Sequence, residues 1–387
     1  MELIRTFHPI GQGGFYSEKF YENDNMVFSV VYDCGSFSPD TLENEINNTF
    51  INNNDKVNVL FISHFHQDHI NRVEYLIDKC KVDYIFIPEI DEEEKMLILS
   101  SYNSKNRKES SFLYKFLINP QQAIKELSEH IKVIFIKAIS KENNLKDTEL
   151  LEFNNENIIF PNFNKEKIFI NSGSKLVFKY NNKPIWEYVF NNFKDEKLSA
   201  KIKSLTEKYS ITLEIYKNFI INRNHKKRGI DKNIYSLILY SGPVNKNIYS
   251  LILYFGSEDE KRMCIKKTCE IYEIIFSTEN YFSYKIGCLY TGDFNLNIDF
   301  DFIKNMLENN CEINFFQIPH HGSKHSWNSK YKNNLNNKFL FLSAGTKNKY
   351  SHPHKEVLMD ILSTHCCYPR IISEDKESKI EMKIHIF

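Results

Sequence analysis

Directly after an apolar run, the stretch LFISHFHQDHINRV (Leu60–Val73) sets four metal-binding side chains, His64, His66, Asp68 and His69, within six positions. A strand running straight into H-x-H-x-D-H is a specific metal signature, unlike the histidine tracts that decorate surfaces. In an extended segment positions i and i+2 face the same way, so His64 and His66 can reach one ion. Asp68 and His69, at the turn into a helix, can hold a second beside it. Two Zn²⁺ ions suit these nitrogen and oxygen donors, with Mn²⁺ or Fe as alternatives, since His-plus-carboxylate sites select weakly.

Two ions need ligands from farther along the chain. Asp293, in YTGDF, follows an apolar strand and can bridge both; His320 and His321 end another in IPHHGS; His352 and His354 follow a third in YSHPH. Asp33, in YDCGS, reads as a residue that orients a ligating histidine from behind. After the paired histidines, Gly322 frees main-chain amides and Ser323 adds a hydroxyl, the makings of an anion loop.

With 387 residues, 42% hydrophobic and 26% charged, the chain can bury a sizeable core, and we expect one domain spanning 1–387. Lys plus Arg equals Asp plus Glu at 50 each, so no overall field attracts nucleic acid; local clusters such as NRNHKKR (222–228) and KRMCIKK (261–267) would have to. The first residues, MELIRTFHPI, lack the pattern of a secretion signal, no apolar run approaches a membrane span, and the eight Cys are scattered. A reduced, cytoplasmic protein is the expectation.

Short apolar runs alternate with helical periodicity: strands over Met26–Ser36, Lys56–His64 and Val82–Ile90, a helix after the histidine cluster, and later strands ending at Phe294, Ser323 and Thr346. This order predicts a layered α/β fold. Residues 91–233, rich in Lys and Asn, read as an insertion on a common core that offers a lid or a surface for protein partners. One repeat is exact: KNIYSLILY occurs at Lys232–Tyr240 and Lys246–Tyr254, and SGPVN between them predicts a hairpin.

Seven blocks occur in order: IGQGGF (10–15), YDCGS (32–36), SHFHQDH (63–69), NIYSLILY (247–254), TGD (291–293), PHHGS (319–323) and SHPHKEVL (351–358). In these the chain resembles the metallo-β-lactamase-fold hydrolases, and among them the soluble hydrolase domain of the ComEC competence proteins. The resemblance covers both ends of the chain and skips its middle. It implies an αββα sandwich with one or two metals at one edge. His64 and His66 would hold the first metal, Asp68 and His69 the second; Asp293 would bridge and His352 would be the last ligand. His320 and His321 would stand over a reacting phosphate, one of them available to complete the first site. Three departures mark this chain: Gly14 where the family carries Asp, Asn71–Arg72 where it carries a Gly pair, and His66 where many competence proteins carry Asp.

The chemistry this implies is attack by a metal-bound hydroxide on phosphorus or a carbonyl carbon. Asp68 would orient the nucleophile, and His320 or His321 would protonate the leaving oxygen or bind the oxyanion. A phosphodiesterase, most simply a nuclease, is the first expectation. A hydrolase of a small ester or phosphoester is the second, because one fold serves many substrates. A subunit of a multi-protein assembly, such as a phage-defence system, switched on by partners, is the third.

Overall fold

The structure, a computed structural model, describes residues 1–386 apart from 51–54, 103–104, 107, 140–147, 155–156, 160–166, 222–234, 245–249, 256–285, 298–302, 305–306, 308–312, 336–337 and 364–368. The two basic clusters at 222–228 and 261–267 therefore lie outside the described residues.

Among the described residues, two nine-stranded sheets organise the chain. The first runs β13 (Ser250–Phe255), β18 (Ile380–Ile386), β1 (Glu2–Phe7), β2 (Gly13–Glu22), β3 (Asn25–Ser36), β4 (Lys56–Phe61), β5 (Lys81–Pro88), β6 (Lys132–Ile136), β9 (Ile168–Ile170). The second runs β17 (Arg370–Ile372), β16 (Phe339–Ser343), β15 (Ile313–Gln317), β14 (Gly287–Tyr290), β12 (Tyr235–Pro243), β11 (Lys183–Lys194), β10 (Lys175–Tyr180), β7 (Leu150–Asn154), β8 (Asn157–Ile159).

Period-two alternation gives each sheet two buried faces. Val30 and Tyr32 of β3 pack between the sheets, Val31 on the far side; Leu237 and Leu239 of β12 face inward, Ile238 and Tyr240 outward. The inner layer is dominated by aromatic rings, such as Phe28 stacked on Phe178 at 4.6 Å and 10°. Burying each such ring contributes about 2 kcal/mol. Helices cover the outer faces. Leu42 and Ile46 of α1 (Pro39–Thr49), Leu76 of α3 (Val73–Lys79), Ile98 of α4 (Glu92–Ser101) and Ile124 of α6 (Pro120–Leu127) pack on the first sheet. Val357 and Ile361 of α9 (Lys355–Leu362) pack on the second. Helix starts follow local chemistry: Asp91 accepts the amide of Glu94 at α4, and Asp195 that of Leu198 at α7 (Glu196–Lys208). Among the described residues no helix is long and apolar enough to cross a membrane.

One ionic network crosses the inner layer. Glu18 accepts from Arg5 Nε (2.7 Å), Ser241 Oγ (2.6 Å), Tyr188 Oη (2.8 Å) and Tyr290 Oη (3.0 Å), which satisfies a buried carboxylate that would otherwise be costly.

The middle of the chain contributes to both sheets, and one expectation about it meets a different geometry. Residues 91–233 supply β6 and β9 to the first sheet and β7, β8, β10 and β11 to the second, with Trp186, Tyr188 and Phe190 of β11 fully buried. The copies of KNIYSLILY do not form a hairpin. The first runs into β12, between β11 and β14; the second contributes β13, at the free edge of the other sheet against β18. Thus the strand beside the TGD segment is the first copy, not residues 247–254. Identical sequences carry no information about which partner each takes; only the surrounding strands decide.

Candidate metal centre

The first sheet is parallel from β3 through β4, β5 and β6 to β9, the second from β14 through β15 and β16 to β17. The candidate residues follow the carboxyl ends of these strands, where open α/β sheets leave a crevice. His64 comes after β4, Asp293 after β14, His320 and His321 after β15, and the loop to His352 after β16. His66 directly precedes α2 (Gln67–Ile70), which carries Asp68 and His69.

Donor atoms of His64, His69 and Asp293 gather in one group, those of Asp68, His69 and His321 in another, all buried. His69 belongs to both, so the two groups are adjacent. From Asp293 the distances are 3.4 Å (Oδ2 to His64 Nε2), 3.3 Å (Oδ1 to His69 Nε2), 3.5 Å (Oδ1 to His321 Nε2) and 3.6 Å (Oδ2 to His320 Nε2). His321 Nε2 also stands 3.4 Å from Asp68 Oδ2. Two donors each about 2.1 Å from one tetrahedrally held ion stand about 3.4 Å apart. The spacing therefore matches the edge of a zinc polyhedron.

The tautomers match as well. His321 Nδ1 lies 2.8 Å from the carbonyl of Ser343, which can only accept, so the ring proton is on Nδ1. His69 Nδ1 donates to Asp33 Oδ2 at 2.8 Å. His64 Nδ1 donates to Ser63 Oγ at 2.9 Å, and that hydroxyl donates on to Asp33 Oδ2 at 2.7 Å. In all three rings the Nε2 lone pair is turned into the cluster, as metal-binding histidines held by an outer partner require. Among the described residues, none of these Nε2 atoms, nor Asp293 Oδ1, completes a hydrogen bond. Buried polar atoms left this way are rare, and the donor set fits a divalent cation.

Electrostatics supports the same conclusion. Burial opposes the ionised form of Asp293, but His320, His69 and His64 outweigh it and hold the carboxyl well below its usual range. Asp68 is likewise lowered against burial, chiefly by His321 and then His69. Burial disfavours a charged His69, yet Asp33 and then Asp293 raise it well above the ordinary imidazole range. His64, desolvated and beside His69, falls to about 4. Two carboxylates here demand positive charge, which protons or cations can supply.

The backbone is unusual where it matters. Asp33, His320, His321 and Ser351 have φ of 60°, 50°, 54° and 60°, a region that costs non-glycine residues about 1–3 kcal/mol. Such strain persists only where neighbours fix it, and it aims these side chains. Gly35 is obligatory, because a Cβ there would stand 2.4 Å from the amide nitrogen of Ile70.

No protein-family model matches this chain. A segment of 74 residues is 32% identical to ComE operon protein 3 of Bacillus subtilis (strain 168), covering 19% of this chain and 9% of that protein. The crystal structure of a long form RNase Z from yeast aligns over 89% of this chain and 36% of that one, with 10% identity and a TM-score of 0.33. Both likenesses are partial. This chain spans well under two thirds of either protein's length.

The remaining candidates lie close by, outside both donor groups. The His66 ring is perpendicular to that of His64 at 4.9 Å; His352 lies 5.7 Å from the His320 ring and 6.1 Å from that of His321. His352 Nδ1 is buried and finds no hydrogen-bond partner among the described residues. His354 Nδ1 accepts the amide of Lys324 at 3.3 Å. The PHHGS turn differs from an open anion loop. The Gly322 and Ser323 amides donate within the turn, to Pro319 and His320, and Gly322 is needed because a Cβ would meet Pro353 at 2.7 Å. Three anchoring residues were not anticipated. Ser63 begins the SHFHQDH motif and was readable; Ser343 acts through its carbonyl and Ser326 holds His320 Nδ1 at 2.9 Å, with nothing in their sequence to mark them.

Proposed function

We propose that this chain is a metal-dependent phosphodiesterase of metallo-β-lactamase fold, a single domain whose substrate is nucleic acid. The observation that carries this reading is the convergence, from separate strand ends, of three histidines with outward-held Nδ1 protons onto Asp68 and Asp293 at polyhedron-edge distances. His64 and Asp293 would hold one cation and Asp68 and His321 the other, with the single Nε2 lone pair of His69 serving one of the two and His66 and His352 in reserve beside them. When bound, such cations, Zn²⁺ foremost, supply Lewis acidity toward a phosphate oxygen and toward water.

The protein's own groups divide the remaining work. Asp68 orients the attacking water through the carboxylate oxygen not turned to His321. His321, buried and committed to Ser343, serves as a ligand. His320 has the more open side chain, 12% exposed, and a hydroxyl partner in Ser326; it delivers a proton from Nε2 to the leaving oxygen. The ComEC-like character of the motifs favours DNA or RNA over a lactam or thioester.

The test is metal analysis of the purified chain, then a hydrolysis panel of plasmid, single-stranded DNA, RNA and bis(4-nitrophenyl) phosphate with Zn²⁺ or Mn²⁺. Asp68→Asn should lower turnover more than about 100-fold, beyond what loss of an outer-shell partner costs, with an unchanged circular dichroism spectrum. Turnover that survives the substitution would mean the site is elsewhere.

A further inference from the structure

At the rim of the metal cluster, Phe37, the residue directly after β3, is 46% exposed, unlike most large apolar side chains here. Its ring is not isolated. It lies 6.3 Å from Tyr350 with planes 27° apart, and Tyr350 lies 5.7 Å from His352 with planes 21° apart. Three near-parallel rings thus step from solvent to a buried histidine beside His320 and His321. Each step is comparable to the spacing of successive nucleotides in an extended strand.

The ladder is held from two directions. The Phe37 amide donates to Gln12 O at 2.9 Å. Across from it, Asn348 clamps the loop before His352, accepting the His352 amide at 2.8 Å and donating to the carbonyls of Gly345 and His352 at 2.6 Å each. The same loop exposes Lys347 and Lys349, and Lys349 Nζ stands 5.9 Å from the centre of the Tyr350 ring. Aromatic faces interleaved with lysines, beside a cluster suited to a phosphate, is the composition of a single-strand platform. A chain with no net charge has to create such attraction locally.

Resting on the hydrolase reading above, we propose that the Phe37–Tyr350 ladder is a base-stacking platform and that the substrate is single-stranded nucleic acid. A base flanking the scissile phosphate rests on these rings, and the phosphates beyond it pass Lys347 and Lys349. A duplex cannot use the platform, because its bases are covered on both faces by their neighbours. A small ester does not reach it. The lysines select a polyanion over a neutral sugar, which aromatic planes alone would also accept.

The test separates this inference from the reading beneath it. Binding is measured by fluorescence anisotropy on full-length Asp68→Asn protein with Zn²⁺, using a short labelled single strand and a closed hairpin of the same composition. The single strand should bind about tenfold tighter; adding Phe37→Ala should remove about that factor, while Phe37→Trp stays within about twofold of the parent. Equal affinity for strand and hairpin, no binding of either, or an unchanged Phe37→Ala protein overturns the platform. Bis(4-nitrophenyl) phosphate turnover and metal content of the unsubstituted chain report separately on the hydrolase. If they persist while the platform fails, the hydrolase reading stands with another substrate.

Discussion

Asp33 shows how much one buried carboxylate can determine. It accepts the Ser63 amide on Oδ1 (2.7 Å), and the Ser63 hydroxyl (2.7 Å) and His69 Nδ1 (2.8 Å) on Oδ2. Through these contacts it sets the tautomer of His69 directly and of His64 through Ser63. The nearby Gly14, where the resembling family carries Asp, leaves room for this arrangement: a Cβ there would approach Asp33 Cβ at 2.6 Å and His69 Nδ1 at 3.0 Å. Asp33→Asn keeps the shape but can turn an amide N–H toward His69 Nδ1, pushing the ring proton to Nε2 and removing the lone pair a metal needs. Metal affinity should then fall about 10–100-fold, measured by competition with a chromophoric chelator on protein shown to be folded. Unchanged affinity would mean that His69 is not a ligand.

At the level of elements, what could be read from sequence and what could not have distinct physical causes. The strand ends bearing His64, Asp293 and His320–His321 were legible because each follows an apolar run within a few residues, and buried parallel strands are apolar on both faces. β11, KPIWEYVFNNFK, was not. Its inward residues Trp186, Tyr188 and Phe190 alternate correctly, but between Lys and Asn they read as part of a polar insertion. The charged stretch 196–220 has helical period throughout, yet it divides into α7 and α8 (Leu213–Ile221) around Ser210, whose φ is 49°. The tandem KNIYSLILY offered no local clue to its two destinations, and its placement can be tested by two deletions. Removing 242–255 leaves one copy followed by Ser241, which donates to Glu18 and accepts from Trp186 Nε1 at 2.7 Å. Removing 232–245 leaves the same nonapeptide followed by Phe255, forcing a phenyl ring against Glu18 and Trp186. The second deletion should be less stable than the first by about 2–3 kcal/mol in urea denaturation, since it both overpacks and orphans polar groups. Equal stabilities would mean that the first copy does not occupy the strand beside β14.

Across the whole molecule, β1 and the last strand meet near a buried histidine outside the metal cluster, which makes global stability depend on pH without involving the metal centre. His8, just after β1, donates from Nδ1 to Glu45 Oε2 of α1 at 3.1 Å and accepts the Ser17 hydroxyl of β2 on Nε2 at 2.8 Å; Lys379, beside β18, stands 3.8 Å from Glu45. Burial lowers the His8 pKa from 6.5 to about 4, despite Glu45, and Lys379 and Lys19 push in the same direction as burial. The folded state therefore keeps His8 neutral where the unfolded chain protonates it. Its contribution is fully present above pH 6.5 and is lost as the pH falls toward about 4, because in that window the unfolded state binds more protons. Between about pH 7 and pH 5 the loss from this group is about 2 kcal/mol. The metal-site histidines also titrate, so the informative quantity is the difference between His8→Gln and the parent, in which their contributions cancel. Urea denaturation at the two pH values should give His8→Gln a decline in stability smaller than the parent's by about that amount. If both proteins lose stability in parallel, His8 is not held neutral in the fold, and the link between α1, β2 and the last strand has been misassigned.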